Sequence, residues 1–89
     1  MTSYITDDFR KSFRKLPSRI QRQAQKNYKR WKQNPHHPSL EFKQVHQSKP
    51  IYCVRVAIGW RALGLKQGNK VTWFWIGSHS DYDTLIAKL

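Results

Sequence analysis

The spacing of apolar residues divides the chain into a helical first third and a stranded remainder. Phe9, Phe13 and Leu16 recur at i, i+4 and i+7, the repeat of one helix face. Asp7 and Asp8 lie at the positive end of that helix's dipole, and Pro17 ends the run. Ser18 then reads as the cap of a second helix whose apolar face is Ile20, Ala24, Tyr28 and Trp31, stopped by Asn34-Pro35. So short a connection predicts two antiparallel helices.

After the loop His36-His37-Pro38-Ser39 the period changes from helical to alternating. Leu40 and Phe42 open a first strand. Residues 51–58 form a second, with Tyr52, Val54, Val56 and Ile58 on one face and Cys53, Arg55 and Ala57 on the other. Gly59 marks a tight turn into a third strand over 60–66. Gln67-Gly68-Asn69 is a hairpin turn, and the nearly all-apolar run VTWFWIG over 71–77 reads as a central strand. Ser80 and Asp83 have capping-box spacing ahead of a last helical stripe, Tyr82, Leu85, Ile86 and Leu89. Tyr4 and Ile5 can add an N-terminal strand. The predicted fold is α+β: an N-terminal helical hairpin packed on a three- to four-stranded antiparallel sheet, with a short C-terminal helix, in a single domain over residues 1–89.

Composition sharpens this picture. With 38% apolar residues and four each of Trp, Tyr and Phe in 89 positions, the chain can fill one core but not two. That aromatic content excludes disorder. No apolar run is long enough to span a membrane, and the charged N-terminus lacks the apolar stretch of a signal peptide, so a cytoplasmic protein without a membrane partner is expected. A single cysteine, Cys53, excludes an internal disulfide and Cys-rich zinc schemes.

Charge points to a partner. Seventeen Lys and Arg against five Asp and Glu give +12 at pH 7, a field that attracts polyanions. The first 33 residues hold ten of the basic groups, Lys26, Lys29 and Arg30 among them, against only Asp7 and Asp8. Like charges one helical turn apart repel by a few tenths of a kcal/mol per pair. Such an excess suggests a partner that neutralises it, be it nucleic acid, an acidic protein or an anionic membrane, rather than a merely solvated face.

The four histidines have no metal-ligand spacing, and only Glu41, Asp81 and Asp83 lie outside the first helix as acids, too few for a two-metal nuclease. No phosphate-binding loop, dinucleotide fingerprint or nucleophile elbow occurs. No metal or cofactor is expected. What remains is a polar set: Arg55 and Arg61 in strands, His79 and Tyr82 at the start of the last helix, and Lys43 and His46 near the first strand. A meander can bring all six to one sheet face. Individually, Arg55 can simply pair with a carboxylate and His79 can serve as a cap. Together they suit metal-free RNA cleavage, in which the 2′-OH is the nucleophile. The protein then supplies proton transfer from His79 and Tyr82 and positive charge from Arg55, Arg61 and Lys43.

Three segments carry a resemblance: NPHHPSLEFK (34–43), YCVRVAIGWRALG (52–64) and WFWIGSHSDYDTL (73–85). In order and over nearly the whole chain they are similar to the RelE/ParE superfamily of toxin–antitoxin toxins. The resemblance implies an α+β toxin held inactive by a cognate antitoxin. RelE-like members cleave mRNA on the ribosome; ParE-like members inhibit DNA gyrase. Arg55, Arg61, His79 and Tyr82 map onto the catalytic set of the RelE-like branch. The function expected is therefore a metal-independent, ribosome-dependent mRNA endonuclease, with Lys43, His46, Lys26, Lys29 and Arg30 binding RNA. The alternatives are a gyrase inhibitor and an inactive relative that only binds nucleic acid or antitoxin.

Overall fold

Capping residues set where each helix begins. The structure, a computed structural model, describes residues 1–89. The Thr6 hydroxyl accepts from the Phe9 N–H at 3.2 Å and starts α1 (Asp7–Arg14). Pro17, not Ser18, precedes α2 (Ser18–Gln33), and no side chain caps that helix. Ile20, Ala24, Asn27 and Trp31 are its buried face. Asn27 is the polar exception. Its Nδ2 donates to the Val56 carbonyl at 2.7 Å and ties the helix to the sheet.

The sheet has five strands in the order β1-β5-β4-β3-β2: β1 (Thr2–Ile5), β2 (Lys43–Gln44), β3 (Ile51–Ala57), β4 (Trp60–Gln67) and β5 (Lys70–Ser78). This corrects the expected three or four antiparallel strands. β1 pairs parallel with β5, Thr2 opposite Lys70 through Ile5 opposite Trp73. β5 is apolar on both faces and lies inside the sheet, where β4 and β1 pair with the backbone groups of its two edges. The first expected strand is also displaced. Pro38–Leu40 is a 3₁₀ turn with Leu40 fully buried, and β2 is only two residues long. Proline at the start of that turn fits, since its missing N–H is not needed there.

Two bulges set which side chains share a face. Between β3 and β4, Arg55 faces Arg61 and Ala57 faces Trp60, so Val56 is extra. Val54, Val56 and Ala57 therefore all join the helical side of the sheet, and Ile58 is left 83% exposed at the turn. Between β4 and β5, Leu63 faces Trp75 and Gly64 faces Trp73, with Phe74 extra. The turns at Gly59 (φ +79°) and Gly68 (φ +61°) need the left-handed backbone glycine allows.

The main core lies between the sheet and α1 and α2: Leu16, Ile20, Ala24, Trp31, Leu40, Val71, Trp73 and their neighbours. On the opposite face α3 (His79–Lys88) covers a smaller cluster, with Tyr82, Leu85 and Ile86 against Ile51, Cys53 and Leu63. The cap of α3 is Ser78, whose hydroxyl accepts from the Asp81 N–H at 3.1 Å, so the Ser80–Asp83 box is not used. Leu89, the last residue of the expected stripe, is exposed.

Candidate active site

Strand register builds the site on the α3 side of the sheet. Lys43 pairs with Cys53, Cys53 with Leu63 and Leu63 with Trp75, one row across four strands. Two residues further along, on the same face, come Arg55, Arg61 and Gly77. A Cβ at Gly77 would lie 2.7 Å from the Trp75 ring. Only glycine leaves room for that ring against the strand. Directly opposed like charges destabilise a strand pair, so Arg55 and Arg61 call for a counter-ion.

Glu41 supplies it. The Arg61 Nη1 donates to Glu41 Oε2 at 2.8 Å, with the Arg61 side chain only 19% exposed. Glu41 follows the 3₁₀ turn in a left-handed conformation (φ +48°), the one non-glycine residue with positive φ. Such strain in a residue with a β-carbon concentrates at functional sites. The hydrogen bond from Arg61 and its charge, with Arg55 and Lys43 adding, hold the Glu41 carboxyl below the usual carboxylate range.

Tyr82 reaches the same place from α3. Its ring lies 6.4 Å from Trp75 and 5.6 Å from His79. Burial, with the neighbouring Cys53 second, pushes its hydroxyl up to about 12. It is a phenol at any physiological pH, a hydrogen-bond donor rather than a base. Burial likewise pushes the Cys53 thiol up, which leaves it protonated and unreactive beneath Tyr82. The His79 Nδ1 lies 3.2 Å from Asp83 Oδ2, one helical turn on, which fixes the ring at the helix start.

Of the six residues expected to converge, Arg55, Arg61, Lys43, Tyr82 and His79 cluster here. His46 is engaged elsewhere. Its Nδ1 accepts from the N–H groups of Ser48 and Lys49 at 3.1 and 3.0 Å, and its Nε2 lies 3.0 Å from the Leu89 main-chain oxygen, so the ring pins a loop to the end of α3. Lys26, Lys29 and Arg30 lie on α2, which packs on the other face of the sheet. Glu41 was visible in the sequence only as one of few acids. Nothing local announced it, and its signal was the unbalanced arginine pair. No three His, Cys, Asp or Glu side chains come close enough together to hold a metal ion.

The model of one family, the ParE-like toxin domain, matches residues 18–84, three quarters of the chain and the whole of this constellation. The chain belongs to the ParE-like toxin family. The toxin shares its fold with a chain of the RelB-RelE antitoxin–toxin complex from Methanococcus jannaschii (TM-score 0.73, 14% identity, 91% of this chain and 96% of that one). It also superposes on the isolated E. coli RelE toxin (0.66, 15%, 99% and 98%) and the YoeB/ParE toxin from Agrobacterium tumefaciens (0.67, 10%, 89% and 99%). No curated protein matches it in sequence. It is thus a toxin of the RelE/ParE superfamily, with a fold that spans both named branches.

Proposed function

We propose that this toxin is a metal-independent, ribosome-dependent mRNA endonuclease. The observation that carries the reading is the cationic cluster of Arg55, Arg61 and Lys43 beside two proton-bearing groups, Tyr82 and His79. RNA provides its own nucleophile, so the toxin needs only proton transfer and charge stabilisation at the phosphate. Arg61 and Arg55 are placed to hold the phosphate and the charge that builds on it, with Lys43 behind them. Glu41 aims Arg61, a positioning role. His79 moves a proton, and the un-ionised Tyr82 hydroxyl donates a hydrogen bond. The surplus charge of Lys26, Lys29 and Arg30 favours docking on ribosomal RNA in the cytoplasm. A cognate antitoxin that lies over the cationic surface would silence the toxin, as the RelB-RelE pairing of the M. jannaschii neighbour suggests.

Induced expression without antitoxin should arrest translation and leave messages cut at mappable positions. The family's ParE-like name favours a second reading, inhibition of DNA gyrase without catalysis. Intact messages together with blocked supercoiling by the purified toxin would establish that reading and remove the first.

A further inference from the structure

The sheet face that carries the arginine pair also carries a row of aromatic rings. From the sheet to the start of α3, Trp75, Tyr82 and His79 follow one another at centroid distances of 6.4 and 5.6 Å. Tyr82 and His79 have parts in the proposed chemistry, and Trp75 has none. In the row of Lys43, Cys53, Leu63 and Trp75 across four strands, Cys53 and Leu63 are sealed, 2% and 0% exposed, whereas Trp75 keeps part of its surface open to solvent. The largest side chain of the row thus buries less of itself than its position on an interior strand allows.

Gly77 gives the indole its place. A Cβ there would lie 2.7 Å from Trp75 Cζ2 and 3.0 Å from Cη2, so the benzo edge of the indole reaches over the glycine. Glycine inside a strand weakens it and marks a close approach. Gly77 stands directly across from Arg61. The indole therefore extends along β5 from its own row toward the row of Arg55 and Arg61, two residues or about 6.7 Å further on. A ribose bridges a comparable interval between a phosphate and its own base.

We propose that Trp75 is the platform on which a nucleobase of single-stranded RNA stacks while Arg55 and Arg61 hold its phosphate, and that the toxin favours a purine at that position; this rests on the nuclease reading for the identity of the strand. Every base has a π-face, so stacking on an aromatic side chain accepts any sequence, and preference among bases follows stacking strength, which the two-ring purines increase. Arginines alone hold a phosphate without telling one base from another. A nucleotide carries an anion and a planar ring at a fixed separation in one unit, which an acidic peptide of Asp and Glu does not. Trp75 is on this account a specificity residue: it takes no part in proton transfer and decides which nucleotide rests beside Tyr82 and His79.

The test uses 2′-O-methyl RNA hexamers, which lack the nucleophile and report binding without cleavage. One is all uridine, and the other carries a single 2-aminopurine, whose emission is quenched when it stacks on an indole. Fluorescein-labelled copies of both give affinities by anisotropy across a range of KCl. The whole wild-type toxin should bind the purine hexamer about fivefold or more tighter than the uridine hexamer and quench its emission. Trp75→Leu keeps an apolar side chain without a π-face. It should weaken the purine hexamer by about tenfold, erase the preference and the quench, and leave the log–log salt slope unchanged, because no phosphate contact is lost. Arg55→Gln should do the reverse, lowering the slope by about 0.7 and keeping the preference.

Equal binding of the two hexamers by the wild type overturns the platform, as does a preference that survives Trp75→Leu. A lowered salt slope in Trp75→Leu also overturns it, since the loss would then lie in the arginine row. Should Trp75→Leu melt below the assay temperature, the wild-type toxin is irradiated with a hexamer that carries 5-iodouridine and the cross-link is mapped by mass spectrometry; it should fall on Trp75, and a cross-link confined to other residues overturns the platform. Cut messages in cells with no Trp75-dependent purine bias at the cleavage positions remove the platform alone. Trp75-dependent stacking with intact messages removes the nuclease reading and leaves the platform.

Discussion

Replacing Tyr82 by Phe separates the chemistry of the site from its packing. The ring contacts with Trp75 at 6.4 Å and His79 at 5.6 Å survive the change, and the lost hydroxyl faces the buried Cys53 thiol, a weak partner. Stability should fall by less than about 1 kcal/mol. Tyr82→Ala, which also removes a half-buried ring, should cost about 2 kcal/mol or more. If the hydroxyl stabilises charge in the transition state, its removal should slow single-turnover cleavage on saturated ribosomes by about 10²-fold, roughly 2.7 kcal/mol in barrier. With its ionisation pushed up to about 12, Tyr82 stays protonated through the assay range. The pH–rate profiles of wild type and Tyr82→Phe should therefore run parallel from about pH 6 to pH 10. Melting temperature and rate are measured on the same preparations. A Tyr82→Phe toxin that cuts at the wild-type rate would refute the catalytic role, and an alkaline limb present only in wild type would refute the un-ionised phenol.

Arg61→Ala and His79→Ala should each lower the single-turnover rate by on the order of 10² or more while ribosome binding weakens far less; a destabilised but fully active His79→Ala would reduce that histidine to a structural neighbour of Asp83. Glu41 has a carboxyl held below the ordinary range by Arg61, so the unfolded chain binds the extra proton first as pH drops. Its stabilising effect is complete above the ordinary carboxylate range and disappears as pH falls through the depressed value. The melting-temperature gap between wild type and Glu41→Gln should therefore close in acid, and a gap that stays constant down to about pH 2 contradicts the ion pair. Gly64→Ala would place a Cβ 2.6 Å from Val71 Cγ1 and 2.8 Å from Trp73 Cε3. It should destabilise by about 1–3 kcal/mol, roughly 5–20 °C in melting temperature by calorimetry, and an unchanged Tm would show that the sheet relaxes there freely.

The parts of the fold visible in the sequence are those whose signal is long and local. α2 repeats its apolar positions over four turns, and β5 is so apolar that an interior place in the sheet follows from it. β1 is four residues whose partner strand begins 68 positions later, a pairing that no local pattern reveals. Leu40 and Phe42 alternate like a strand, yet Leu40 is buried by a 3₁₀ turn; two apolar residues cannot distinguish the two. Ser18 and Ser80 were good caps by residue type, but Pro17 and Ser78 hold the capping positions, an offset of one or two residues that is set by tertiary entry angle.

The site was half legible for a related reason. Arg55 and Arg61 stand out because charged residues interrupt apolar strands, but a regular hairpin around Ile58-Gly59 would set Arg61 opposite Val56. Only the bulge at Val56 brings the two arginines face to face. That local repulsion, the left-handed Glu41 and the single carboxylate between three cations then belong to one arrangement. The opposed arginines and the left-handed backbone each cost stability, and both make sense if Arg61 must stand ready, oriented by Glu41, before a phosphate arrives. An RNA phosphate brings a negative charge of the same kind that Glu41 supplies. A phosphate that reached both guanidinium groups would relieve the part of the Arg55–Arg61 repulsion that the carboxylate, hydrogen-bonded to Arg61 alone, does not offset. Under the proposed nuclease reading, a phosphate would therefore compete with Glu41 for Arg61, a competition that the strand register sets up.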